Sequence, residues 1–409
     1  MLATFDPTDQ RYNLLVAEAF SDGPPHDIFD ELREHDPVHL GYAPIDGRRV
    51  WSLTRYDDIR KVSGDAKIFS STAGAAFTNH RPGKDITEGA IMSSDAPYHT
   101  RLRHFFNLGF APRVTRHFEP WIRDIVRDIV KELRASTGEI DFLDVVAGKL
   151  PAMVIGVILG MPEEDRWHML PWAQTILRAS EGTPEGQEAS LKAVDETIAY
   201  GMRLREHKIA NPGDDMVSML ADAEYEGQRL SDQEYGHFVM TTVAAGFETT
   251  FTAIAQSCLL LMQNPDIYRN FKASADELMD TALIEMLRYI TPAMQMVRIA
   301  LQDAEIRGRE IKAGDDVVMW YASANRDPAI FGPDRHSIDL RRKTAAYATF
   351  GAGGPHFCIG NQLARLEMRI LFEELFKEGI WFETTEEPRR MKSLLINGLR
   401  KMPVKVIEG

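Results

Sequence analysis

The 409-residue chain has only two cysteines, Cys258 and Cys358. That is too few for a disulfide framework, so both thiols are expected to be reduced, as in a cytoplasmic protein. The start, Met-Leu-Ala-Thr-Phe-Asp-Pro-Thr-Asp-Gln, lacks the basic and apolar regions of a secretory leader. Positive charge is also short: 47 Lys and Arg against 61 Asp and Glu give a net charge of −14. A field of that sign repels polyanions, and no nucleic-acid partner is expected. No internal repeat or low-complexity tract occurs, which excludes a solenoid. One apolar run, residues 238–262, is long enough to cross a membrane, but it carries Glu248, Gln256, Ser257 and Thr241, Thr242, Thr249, Thr250 and Thr252. A helix through a soluble core fits that content better than a lipid-facing span, so no membrane anchor is expected.

What the chain does have is an average globular composition, 44% hydrophobic and 26% charged, enough to bury a large core. Prolines are scattered as punctuation between stretches of helical length. Helical periodicity is clearest at residues 121–133 (Trp121, Ile122, Ile125, Ile129, Val130, Leu133), 238–262, and 363–376 (Leu363, Leu366, Ile370, Leu371, Leu375). Strand-like alternation is sparse, with short candidates at 38–40, 49–53, 297–300, 317–320 and 404–407. The pattern predicts a mainly α protein with a minor antiparallel β part, one domain over residues 1–409, its strands concentrated near 38–70, 295–320 and 380–409. Residues 71–94 read as a long loop, and long loops in compact domains are usually functional.

The most informative stretch is Phe350-Gly-Ala-Gly-Gly-Pro-His-Phe-Cys358-Ile-Gly360, followed at once by a periodic helix. Glycines on both sides let the backbone wrap a sulfur, and amides at a helix start favour a thiolate. By itself, a cysteine between Phe357 and Ile359 is more often an inert buried residue. A dinucleotide fingerprint fails because His356 follows Gly351-x-Gly353 where a third glycine is needed, and no Gly-Lys-Ser/Thr completes a phosphate loop. No second Cys or His set surrounds it for zinc.

This stretch resembles the haem-binding loop of the cytochrome P450 family, with Phe350, Gly351, Gly354, His356, Cys358 and Gly360 in the positions of the family pattern. Phe350 stands eight residues before Cys358, one more than the commonest spacing, a form similar to bacterial members that oxidise sterol side chains and branched lipids. The resemblance implies a haem domain of the bacterial, soluble, ferredoxin-dependent class, with haem b as cofactor and the Cys358 thiolate as iron ligand.

Three further motifs stand in the family's order. Ala245-Gly-Phe-Glu-Thr249 resembles the oxygen-activation motif. Ala245 and Gly246 are small enough to let a flat cofactor and a diatomic ligand approach the backbone, and Thr249 can bond back to the carbonyl four residues earlier. Glu248 and Thr249 are then the expected catalytic proton relay. Glu285-x-x-Arg288 puts a carboxylate and a guanidinium one helical turn apart in an apolar context, and the resemblance assigns Arg335 as third member of a buried structural network. His99-x-x-x-Arg103 follows Asp95 and Pro97 at a helix start, and the resemblance makes His99, Arg103, Arg298 and His356 contacts of the haem propionates. Cys258 has no such flanks and reads as core.

The implied activity is insertion of one atom of O2 into a C–H bond of a hydrophobic small molecule, with a terpenoid, steroid or aliphatic lipid preferred. Candidate pocket residues are Phe77, Ile91, Met92, Met169, Leu170, Met240, Thr241, Ala244, Ala293, Met294, Leu395 and Ile396, an apolar lining without an evident arginine clamp. Because the sequence ends at Gly409, close after the last β segment, electrons from NAD(P)H are expected through a separate ferredoxin reductase and iron-sulfur ferredoxin. The ferredoxin would dock near Arg101, Arg113, Arg116, Arg365 and Arg369. A monomer is expected. A peroxide-using haem-thiolate peroxygenase and a non-catalytic haem sensor or carrier are the competing readings.

Overall fold

The computed structural model describes residues 4–72, 74–77, 89–176, 183–221, 223–344 and 346–409. Fifteen α-helices occur among them. They are α1 (His26–His35), α2 (Tyr56–Gly64), α3 (Tyr98–Gly109), α4 (Pro112–His117), α5 (Glu119–Ala135), α6 (Lys149–Ile158), α7 (Met169–Ile176) and α8 (Pro184–Ala210). Then follow α9 (Met216–Ala221), α10 (Asp232–Gln263), α11 (Pro265–Ala273), α12 (Ala275–Ile290), α13 (Tyr321–Ala324), α14 (Pro328–Phe331) and α15 (Asn361–Lys377). The strands are β1 (Val38–Tyr42), β2 (Arg49–Leu53), β3 (Phe69–Ser70), β4 (Glu139–Asp141), β5 (Gln295–Ala300) and β6 (Ala304–Ile306). They continue with β7 (Arg309–Ile311), β8 (Asp316–Trp320), β9 (Ile380–Thr384), β10 (Arg389–Arg390), β11 (Leu399–Lys401) and β12 (Pro403–Glu408).

The three periodic stretches become α5, α10 and α15. Helix α10 starts at a capping box: Ser231 Oγ accepts from the Glu234 amide at 3.2 Å, and Glu234 Oε2 accepts from the Ser231 amide at 2.9 Å. It stops where Pro265 opens the next helix. Between those ends, 78% of its most apolar 18-residue window is buried inside the protein. Its length and apolarity thus serve the core. Packing on α6, α7, α8 and α12, it is the axis of the largest hydrophobic cluster, which also takes in Ile122, Val126 and Ile129 of α5 and Ile370, Leu371 and Leu375 of α15.

The β part is mixed rather than purely antiparallel. In the five-stranded sheet, ordered β1-β2-β8-β5-β3, strands β2 and β8 run parallel, Val50 beside Asp316 through Leu53 beside Met319. The cause is visible in β8: all five residues of Asp-Val-Val-Met-Trp are buried, an unbroken run suited to a central strand covered on both faces. Strand β4 also falls outside the three expected regions, pairing with β12 in a second sheet ordered β4-β12-β9. Of the expected loop 71–94, residues 73 and 78–88 lie outside the described residues.

Candidate active site

The segment between α14 and α15 folds around Cys358. Its amide donates to the Phe350 carbonyl at 2.8 Å, closing the loop on itself. The loop is pinned to α2: Ser63 Oγ donates to the Gly353 carbonyl at 2.7 Å, and Gly354, at φ +82°, passes so close that a Cβ there would sit 2.1 Å from the Ser63 carbonyl oxygen. Only glycine fits that approach. The Gly360 and Asn361 amides at the start of α15 donate to the sulfur, and with Arg103 they oppose the burial that pushes the Cys358 thiol up. Cys358 keeps accessible surface although protein surrounds it on all sides. That surface therefore faces an internal chamber.

The opposite wall is the middle of α10. Ala245 is exposed there and Ala244, Gly246 and Thr249 are half-buried, within a helix otherwise almost wholly buried. Thr249 Oγ1 donates to the Ala245 carbonyl at 2.7 Å, the bond-back a threonine makes within a helix. A Cβ on Gly246 would lie 3.3 Å from Ile155 Cδ1, so its missing side chain also lets α6 pack closely against α10. Glu248 is 4% exposed, its Oε1 has no hydrogen-bond partner, and burial, opposed by Arg400, raises its carboxyl to about 7.

Four basic side chains gather at one side of the cysteine loop. The His99 and His356 rings lie 4.2 Å apart, and His356 Nε2 is 3.0 Å from Ser71 Oγ. Arg298 is 4% exposed and spends Nη1 on the neighbouring Val297 carbonyl. Arg103 is half-buried, its field felt by both histidines. Burial first, then Arg103, lowers His99 to about 4; burial, then Arg298 and His99, lowers His356 to about 3. Asp95, the carboxylate that His99 and Arg298 feel, is engaged by Ser70 Oγ at 2.5 Å and the Ser71 amide at 3.0 Å. His99 Nε2 is buried without a partner. So many crowded donors with an orphaned nitrogen call for an anionic ligand.

Behind the loop, Glu285 and Arg288 form a fully buried bidentate pair, Nε to Oε2 and Nη2 to Oε1, both 2.7 Å. The remaining guanidinium protons go to the carbonyls of Asn325 (2.8 Å), Arg335 (3.0 Å) and Ser337 (3.0 Å), so all five donors are used. The third side chain on Glu285 belongs to Arg342, whose Nε is 3.1 Å from Oε1. Arg335 does not take that place. Its guanidinium turns away to Asp30 at 3.1 Å, leaving only its carbonyl in the network. Sequence reading also missed Asn325, which holds Thr291 Oγ1 (2.8 Å), Thr349 Oγ1 (3.0 Å) and the Ala348 amide (2.7 Å), tying α12 to the start of the cysteine loop. The run of polar residues at 325–327 was the available pointer.

The expected pocket residues separate into groups. Met92, Met240 and Ala244 meet Ile176, Ala193 and Val194 in one cluster. Phe77 and Met294 share another with Leu394, Phe77 being held by reciprocal bonds to Gln295. Residues 291–296 and 394–396 pair directly: the Met294 amide donates to the Leu395 carbonyl at 2.7 Å, and Ala293 bridges Ile396. Ile91, Met169 and Leu170 instead pack with the main core, so from α7 it is Ile176 that reaches the Met240 cluster. Thr241 is 6% exposed and its hydroxyl has no partner, unlike Thr242, which bonds back to Phe238 at 2.8 Å. Cys258 is fully buried core.

The family model of Cytochrome P450 matches residues 11–402. The chain belongs to the cytochrome P450 family. This P450 is 35% identical over 386 residues to a methyl-branched lipid omega-hydroxylase of Mycobacterium bovis, covering 92% of this chain and 90% of that protein. It is 32% identical over 384 residues to a steroid C26-monooxygenase of Mycolicibacterium smegmatis, covering 91% and 88%. Among solved structures, a Mycobacterium marinum cytochrome P450 in complex with pseudoionone superposes with a TM-score of 0.89 at 30% identity, covering 98% of this chain and all of that one. Membership makes this P450 a monooxygenase with haem b as its cofactor. The residues present fit that group: one amide-supported sulfur faces the chamber, a small-residue helix wall stands opposite, and four basic side chains suit two propionates.

Proposed function

We propose that the Cys358 sulfur would hold the haem iron and that this P450 hydroxylates an unactivated C–H bond of a steroid, branched-chain lipid or terpenoid. Bound haem supplies the redox-active iron on which dioxygen is activated. The chain's own residues do the rest. The Gly360 and Asn361 amides would support negative charge on an iron-bound sulfur against the burial that opposes it, and Arg103 and Arg298 would neutralise the propionates while the neutral His99 and His356 rings donate hydrogen bonds to them. Ala245 leaves space beside α10 for a diatomic ligand. Thr249, fixed to the Ala245 carbonyl, offers its hydroxyl lone pairs to a proton-donating water, and Glu248, with a proton affinity matched to neutral pH, refills that water from solvent.

The single observation that carries this reading is the buried Glu248 carboxyl, its Oε1 without a partner, one residue before the anchored Thr249 hydroxyl. Such an arrangement costs stability and repays it only if protons must be moved. A peroxygenase has no need of it. The apolar clusters around Met240 and Met294, together with the named activities of the relatives, support a hydrophobic substrate. We further read residues 1–409 as one cytosolic, monomeric haem domain. Its electrons would come from NAD(P)H through a reductase and a ferredoxin docking on the α4–α15 surface, where Arg113, Arg116, Arg365 and Arg369 lie; Arg365 and Arg369 both pair with Asp280. Arg101 is set apart from those arginines by its place rather than its pairing: it sits on α3 against Glu234 at the start of α10.

The test is a screen of steroids, methyl-branched fatty acids and terpenoids for a substrate-induced shift of the haem absorption, followed by turnover with a ferredoxin system. Hydroxylated product from a class that produces the shift is expected. A shift only with small aromatic acids would overturn the substrate assignment.

A further inference from the structure

Glu248 points across α10 to the segment that leads into β11. Gly398 stands there, with its carbonyl accepting from the Met391 amide at 3.0 Å. A methyl group in place of its hydrogen would lie 3.7 Å from Glu248 Oε1, the oxygen that has no partner, 3.6 Å from Met391 Cε and 3.3 Å from Ile396 Cγ2. Gly398 is not among the positive-φ residues, so nothing in its backbone demands glycine. What its bareness does is leave space beside a buried acid. Two residues on, within β11, stands Arg400, exposed to solvent and the charge that Glu248 feels. The segment does not drift: Gln256 Nε2 of α10 donates to the Asn397 carbonyl at 2.8 Å, and Asn397 Nδ2 donates to the Ile290 carbonyl at 2.7 Å.

We propose that Gly398 keeps a water-wide gap open between α10 and β11, with Arg400 at its mouth, through which protons reach Glu248 from the surface. The proposal rests on the reading of Glu248 as the relay. A hydronium ion at the mouth gives its proton to Oε1 and remains as water. When the carboxyl later passes that proton inward it returns to the carboxylate, ready for the next. A water in the gap would bond to Oε1 between the apolar side chains of Met391 and Ile396, a lining that suits single-file water but no substrate. Arg400, as a positioning residue, also holds the acid's proton affinity down.

The experiment uses infrared difference spectroscopy on the haem-loaded protein, with the Glu248 carboxyl band assigned as the one missing in Glu248→Gln. On transfer to D2O, Gly398→Ala should slow the O–H to O–D shift of that band several-fold, since the added methyl fits with only a few tenths of an ångström of adjustment by Ile396. Arg400→Gln should move the band's titration midpoint upward. Equal exchange rates in Gly398→Ala and the wild type, or an unmoved midpoint in Arg400→Gln, overturn the gap. Coupling of electron use to product separates the two ideas. If Glu248→Gln leaves coupling unchanged, the relay reading falls whatever the exchange shows. If Glu248→Gln uncouples while Gly398→Ala exchanges at the wild-type rate, the relay stands and the gap falls.

Discussion

Replacing Glu248 by glutamine removes one ionisation from the core, and its effect on stability must depend on pH in a fixed direction. The folded protein holds this carboxyl at about 7 because burial disfavours the charged form, against the ordinary 4.5 of a glutamate in the unfolded chain. A raised carboxyl costs nothing below the unfolded value, where both states are protonated. It then costs progressively more as pH climbs, until the folded state ionises too. At about 1.36 kcal/mol per unit, the penalty is about 1.4 kcal/mol at pH 5.5, about 2 kcal/mol at pH 6 and about 3 kcal/mol at pH 8. Glutamine keeps the shape and never pays it. Paired urea unfolding of the haem-loaded wild type and Glu248→Gln between pH 5.5 and 8 should show the variant gaining about 2 kcal/mol on the wild type across that range. A difference that stays flat, or a wild type that gains with rising pH, would refute the claim that Glu248 is buried without a charge partner of equal weight.

Arg288→Lys loses the bidentate fork and three carbonyl bonds at once while leaving Glu285 buried, and should cost about 3–5 kcal/mol in unfolding free energy and sharply lower haem retention. Retention equal to wild type would contradict the network. Gly354→Ala forces a side chain into a positive-φ position and against the Ser63 carbonyl, so purified protein should carry far less haem per chain. A full complement would show that the loop can stand off from α2. Thr241→Val fills the same volume without the orphaned hydroxyl, and should weaken spectroscopically measured binding of hydroxylated or keto steroids by about 1 kcal/mol or more while leaving hydrocarbon ligands unaffected. Equal losses for both would remove Thr241 from recognition.

The helices were legible because their apolar periodicity is intrinsic to the chain. Residues 121–133 and 363–376 carry an amphipathic stripe that only one structure buries, whereas the start of the longest helix, expected at 238, lies at Asp232 behind the Ser231–Glu234 capping box. The parallel pairing of β2 with β8 was not legible, since it joins segments more than 260 residues apart and a buried run such as Val317-Val318-Met319 fixes no strand direction. The same limit governs the site. Cys358 and its glycines are local, so one short stretch was enough to carry the family resemblance that singled them out. The partner of Glu285 is decided by how the chain turns between residues 333 and 342, which sends Arg335 outward to Asp30 and brings Arg342 back. Burial of Glu248 could only be guessed from an apolar neighbourhood, and its isolation from any hydrogen-bond donor at Oε1 needed the coordinates of β11.

The most direct test of the whole account is the absorption spectrum of the reduced protein with carbon monoxide bound, measured on the wild type and on Cys358→Ser. The account predicts a thiolate-type spectrum in the wild type and its complete loss in the variant. An unchanged spectrum after the substitution would contradict it.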